Sequence, residues 1–131
     1  IEKLISRDNN INIILIGSDN AKESAKVIFD KFSNYNVINF VAKFTFNQTS
    51  QIIKQAQILL CCDGGLMHSA NAVNTPIVAL FAKLTDQMQL TESIRAFSLY
   101  DKSNVNNISV QKILKKYNDA ANFVRSHPRV E

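Results

Sequence analysis

The chain has 131 residues, 46% of them hydrophobic and 20% charged, which fits one ordinary globular domain and excludes disordered and fibrous classes. No apolar run approaches the roughly 20 residues needed to cross a bilayer, and no leader with a cleavage site is found, so a soluble, cytoplasmic domain is expected. The net charge of +4 and pI of about 9.2 come without zinc spacing, an aromatic RNA-binding motif or a strongly basic recognition helix, so nucleic acid is not the expected partner.

In chain order, Ile1 to Asp8 is expected to finish a helix begun upstream, because Leu4 and Ile5 have no cap ahead of them. Asn9 and Asn10 make a turn, and INIILI, Ile11 to Ile16, is expected as a buried strand ending at Gly17. Ser18, Asp19 or Asn20 can each cap the next helix, about Ala21 to Phe32, whose Ala25, Ile28, Phe29 and Phe32 follow helical spacing. A lone glycine between strand and helix is a weak phosphate or ribose signal and no dinucleotide fingerprint. Ser33 to Asn36 turns the chain into a short strand, Val37 to Phe40. The loop VAKFTFN, Val41 to Asn47, then leads to a third helix over Gln48 to Gln57.

Gln57 to Phe81, QILLCCDGGLMHSANAVNTPIVALF, carries the strongest pattern. Ile58 to Cys62 reads as a parallel strand buried on both faces. Asp63, Gly64 and Gly65 form a turn that lets a ligand approach the main chain. Leu66 to Val73 reads as a short helix whose first N–H groups lie beyond the carboxyl end of the strand, where anions bind. Asn74 and Thr75 close it, Pro76 stops it, and Ile77 to Phe81 is a second apolar strand. Cys61 and Cys62 are adjacent, a poor arrangement for a disulfide or zinc, and are expected as two reduced core thiols.

Beyond this unit, Ala82 to Leu90 is a polar loop, Ile94 to Tyr100 an outer strand, and Val105 to Ile108 leads to Ser109, a credible cap. Val110 to about Ser126 is an amphipathic helix with Ile113, Leu114, Tyr117, Ala120, Ala121 and Val124 on one face, ending at Pro128. Lys112, Lys115, Lys116, Arg125 and Arg129 surround it, as a solvated face or as an attraction for anionic lipid head groups. Strands alternating with helices predict a Rossmann-like α/β domain: a parallel sheet with helices on both faces. Its ligand is expected along the carboxyl ends of the strands, at Gly17, Val41 to Phe46, Asp63 to His68, and Phe81 to Asp86.

Asp63, Gly65, His68, Ala70, Ala72, Pro76, Val78, Ala79, Leu80 and Phe81 resemble the signature of family 9 glycosyltransferases, the lipopolysaccharide heptosyltransferases. There a D-T-G-x-x-H-x-A segment precedes a P-x-V-A-L-F-G strand and a T-D pair, here Thr85 and Asp86. Ala42, Lys43, Thr45 and Phe46 match an L-x-G-K-T-S-L-like segment that borders the nucleotide base, with Ala42 in the glycine place. Two departures stand out: Gly64 replaces the usual Thr or Ser, and Ala82 the usual Gly. The resemblance implies the carboxyl-terminal, donor-binding half of a GT-B transferase of lipopolysaccharide core synthesis. It implies ADP-heptose as the nucleotide sugar, no metal, and an acceptor reached through an amino-terminal domain, with peripheral contact to the inner membrane. The proposed catalytic base precedes this segment in the family, so the chain alone is expected to be inactive.

Sugar transfer from a nucleoside diphosphate needs donors aimed at the departing diphosphate, which the N–H groups of Gly64, Gly65 and Leu66 could supply. His68 either donates to a phosphate oxygen or contacts the sugar, or packs against the sheet with a local partner. Asp63 caps the helix, bonds sugar hydroxyls, or does both. Lys43 either meets the pyrophosphate or is a surface lysine, and Thr85 and Asp86 either touch ligand or cap a turn. Asp19 and Glu23 are the alternatives for the ribose. No D-x-D pair or histidine-carboxylate cluster is present to hold a metal. The rival classes are a degenerate, non-catalytic module of the same fold and an unrelated receiver- or flavodoxin-like domain, which lacks its first acid cluster here.

Overall fold

Apolar runs bounded by turn residues pair as strands throughout the computed structural model of the chain, which describes residues 1–82 and 95–129. In order these residues form α1 (Glu2–Arg7), β1 (Ile13–Leu15), α2 (Lys22–Lys31), β2 (Val37–Asn39), α3 (Phe46–Gln55), β3 (Leu59–Cys62), α4 (Gly65–Ala72), β4 (Ile77–Ala82), β5 (Ala96–Asp101) and α5 (Val110–Ser126). Short 3-10 turns at Asp19–Ala21 and Val105–Asn107 precede α2 and α5. Every strand pairing among the described residues is parallel, and strands alternate with helices as the α/β reading requires. The chain divides into two compact units, Ile1–Thr49 and Ser50–Glu131.

In the first unit β1 and β2 run side by side, Ile13 opposite Val37 and Leu15 opposite Asn39, and α2 packs on β2 with Ala25 buried. The strand expected to be buried over Ile11 to Ile16 is shorter and partly open. Ile14 and Ile38 are register partners on one face and both are exposed. Successive side chains point to opposite faces, so an unbroken apolar run cannot by itself report that only one face is covered. None of the three residues expected to cap α2 does so. Ser18 Oγ donates to Asn20 Oδ1, the Asp19 carboxylate pairs with Lys22, and the main chain winds a 3-10 turn before the helix begins.

In the second unit the order is β3-β4-β5. β4 is the middle strand, and Ile77, Val78, Ala79 and Phe81 are fully buried. The side chains of Ile77, Val78 and Phe81 each stabilise the fold by about 1.5–3 kcal/mol relative to exposure. α4 packs on β3 and β4 through Met67 and Ala70, and α5 packs on β4 and β5. Leu60, Val78 and Phe97 form one cross-strand row, and Phe97 meets Phe123 of α5 edge to face at 5.8 Å. At the β3 end of that row Leu60 stays exposed.

This corrects the reading of Ile58 to Cys62 as a strand buried on both faces with two core thiols. Cys61 is half-buried and Cys62 exposed, both unpaired thiols, because β3 is an outer strand of its sheet and only alternate side chains turn inward. The end of α4 is a Schellman motif: Asn74 takes a left-handed φ of 63°, Thr75 N donates to Ala70 O and Asn74 N to Asn71 O. Ser109 caps α5 by accepting from Lys112 N at 3.2 Å. Arg129, expected on the solvated basic face, instead donates to Lys54 O and to the buried Thr75 Oγ1, which in turn donates to Ile53 O. Ile94 and the loop Lys83 to Leu90 lie outside the described residues.

Candidate functional site

The turn between β3 and α4 is built from residues that leave polar groups open. Gly64 is the N-cap of α4, with φ 159° and no side-chain cap hydrogen bond. A Cβ built there would meet no described atom within 4 Å. The first intrahelical bond is His68 N to Gly64 O, so the N–H groups of Gly65, Leu66 and Met67 are the orphan donors at the positive end of the helix. Among the described residues none of the three has an acceptor. They are the donors expected from Gly64, Gly65 and Leu66, moved one residue on because α4 starts at Gly65 instead of Leu66.

Two side chains flank these donors. Asp63 is exposed, its main-chain N–H donates to Leu80 O, and its carboxylate has no hydrogen-bond or ion-pair partner among the described residues. The capping role weighed for Asp63 is therefore not the one it takes; the N-cap is a glycine. The His68 side chain is likewise exposed and without a partner among the described residues, so of the two alternatives weighed for it, packing against the sheet with a local partner is not the one it takes. Cys61 lies just before them, and burial, reinforced by its neighbours Cys62 and Asp63, pushes its thiol up to about 12.

Two of the other predicted loops, at Gly17 and at Val41 to Phe46, belong to the first unit. The main-chain N–H of Ala42 donates to Gly17 O at 2.8 Å, which joins the loop after β1 to the loop after β2. Gly17 has φ 156°, and a Cβ there would sit 3.2 Å from that of Ala21, so this position requires glycine. Ala42 adopts φ 58°, the left-handed region in which an alanine is strained. The glycine that the family resemblance expects at Ala42 would relieve it. Asn39 Oδ1 accepts from Val41 N at 3.1 Å, and Phe40 and Phe44 stack edge to face at 5.0 Å.

Phe46 is the first residue of α3 and is exposed, not a residue of the preceding loop. Thr45 and Gln48 form a reciprocal capping box, Thr45 N to Gln48 Oε1 and Gln48 N to Thr45 Oγ1, which starts the helix two residues before the expected Gln48. The T-x-x-Q spacing was readable as that signal. The Lys43 side chain is exposed with no partner among the described residues. Of the two acids considered for the ribose, Asp19 is held by Lys22 at 3.1 Å, while Glu23 has no ion-pair partner among the described residues. Thr85 and Asp86 lie outside the described residues. Among the described residues no three His, Cys, Asp or Glu side chains gather as metal ligands.

In a parallel α/β chain, the turn where β3 hands over to α4 lies beyond the carboxyl end of a strand, the edge along which open parallel sheets take their ligands. The chain belongs to glycosyltransferase family 9 (heptosyltransferase), whose family model matches residues 2–118. The resemblance read from Asp63 to Phe81 thus holds over most of the chain. Its fold is similar to that of the E. coli ADP-heptose LPS heptosyltransferase II, with a TM-score of 0.78 at 23% identity over 95% of this chain. The chain spans 40% of the length of that protein. No curated protein matches the sequence significantly. No helix among the described residues is long and apolar enough to cross a membrane.

Proposed function

We propose that this chain is the donor-binding part of a transferase that moves a heptose or similar sugar from a nucleoside diphosphate to a lipopolysaccharide-core acceptor. What supports this most is the set that is unpartnered among the described residues at the start of α4: the N–H groups of Gly65, Leu66 and Met67, with Asp63 and His68 beside them and no described atom within 4 Å of a Cβ built at Gly64. As the bond between the anomeric carbon and the diphosphate oxygen breaks, its electron pair and negative charge go to the leaving diphosphate. Fixed amides at a helix start stabilise that charge without reorganising. In this reading His68 donates to a phosphate oxygen, Asp63 accepts from sugar hydroxyls, and Lys43, Phe46, and Asp19 or Glu23 attend the nucleotide. Thr85 and Asp86 complete the sugar side. The nucleotide sugar is ADP-heptose or a close relative, no metal takes part, and the acceptor is met on the cytoplasmic side of a membrane through another domain. The chain alone is inactive.

Calorimetry with ADP and with ADP-heptose tests the reading. Measurable binding of either, weakened by Gly64→Val, is the expected result. Binding of neither overturns it and favours a non-catalytic module of the same fold, a reading to which the strained Ala42 would then belong.

A further inference from the structure

The three lysines of α2 are each matched by a carboxylate: Lys22 by Asp19 at 3.1 Å, Lys26 by Asp30 at 2.9 Å and Lys31 by Glu2 at 3.9 Å. Those of α5 are not. Lys112, Lys115 and Lys116 occupy the first two turns of that helix, where its dipole is positive, and its first turn holds no acid. None has an ion-pair partner among the described residues. At about 100° per residue, Lys112 and Lys115 point away from the packed stripe of Ile113, Leu114 and Tyr117, and Lys116 flanks it. Asp119 is the one acid on that outward side, a turn further on, and no lysine lies within ion-pair distance of it. Val110, the first residue of the helix, is 59% exposed.

Positive charge gathered at a helix start weakens the helix, so this arrangement runs against local stability and calls for a compensating use. We propose that the lysine face at the start of α5 docks on an anionic phospholipid surface. Lysine is a compact point charge on a flexible stem, suited to a diffuse planar field and unlike the fork of arginine that reads single phosphates or base edges. The outward positions Gln111, Lys112, Lys115, Asp119 and Asn122 include no aromatic ring on which a base could stack. Arg129 is withdrawn from this surface by its bonds to Lys54 O and Thr75. No residue of the donor site takes part, so failure of the calorimetric test leaves the inference standing.

Co-sedimentation of the intact protein with phosphatidylcholine vesicles, with and without phosphatidylglycerol, decides it. Binding is expected only to the anionic vesicles and is expected to fall with salt. The combined Lys112→Gln, Lys115→Gln and Lys116→Gln variant is expected to lose about a hundredfold in partitioning, at about fivefold per lysine. The matched Lys22→Gln, Lys26→Gln and Lys31→Gln variant removes the same charge and is expected to lose far less. Equal losses in the two variants, no preference for phosphatidylglycerol, or tighter binding to nucleic acid through the same lysines would each overturn the inference.

Discussion

Ala42 N donates to Gly17 O at 2.8 Å while Ala42 itself sits at φ 58°, so the bond that joins the two loops of the first unit is held by a residue in a strained conformation. Ala42→Gly is expected to raise stability by about 0.5–1 kcal/mol, since relief of the left-handed strain outweighs the added chain entropy. Gly17→Ala is expected to lower it by about 1–3 kcal/mol, because its Cβ would crowd that of Ala21. Urea unfolding of the two variants measures both signs, and a destabilised Ala42→Gly would contradict the strain.

His68 is exposed and unpartnered among the described residues beside the open amides of α4. If it donates to a charged phosphate oxygen, His68→Ala in the intact transferase removes about 1.5–3 kcal/mol, or about 10- to 100-fold in kcat/KM or donor affinity. Steady-state kinetics with matched donor titrations read the loss. Unchanged turnover together with unchanged affinity would take His68 out of the site.

Thr75 is fully buried, donates to Ile53 O at 2.7 Å and accepts from Arg129. Thr75→Val keeps the volume but removes both bonds, and is expected to cost about 1–3 kcal/mol in a denaturant titration. Thr75→Ser keeps the hydroxyl and should lose less. A valine variant as stable as the parent would show that this contact contributes nothing.

The carboxylate of Asp101, at the end of β5, accepts from Asn104 N, Ser103 N and the Asn107 amide. These bonds, Asn104 N first, hold its pKa down to about 2 from an ordinary 3.8. A depressed pKa means that the folded state favours the ionised form, so the stabilisation is whole above pH 3.8 and is lost as pH falls through about 2. Melting temperatures of Asp101→Asn and the parent should therefore differ most above that window and converge below it. Parallel curves across the range would contradict the assignment.

Much of the site's frame is legible in local pattern. The turn at Asp63, Gly64 and Gly65, the stop at Asn74 to Pro76 and the cap at Ser109 are signals a few residues long, and the structure places α4, β4 and α5 within a residue or two of them. Their residues interact mainly with near neighbours, so the string of side chains contains the answer. The T-x-x-Q box at Thr45 was equally local and simply competes with a loop reading of VAKFTFN.

What only the tertiary structure decided is which groups are left open. Cys62 and Leu60 belong to as apolar a run as β4, yet they face outward because β3 is the outer strand of its sheet, a fact set by pairing with residues far along the chain. Among the described residues the side chains of Asp63 and His68 have no partner, and Arg129 finds Thr75 across 54 residues, for the same reason. Sequence alone determined the elements, because helix and strand follow from side-chain spacing and turn chemistry over a few residues. Exposure, strain and pairing were decided by the fold, because they depend on which distant surfaces meet.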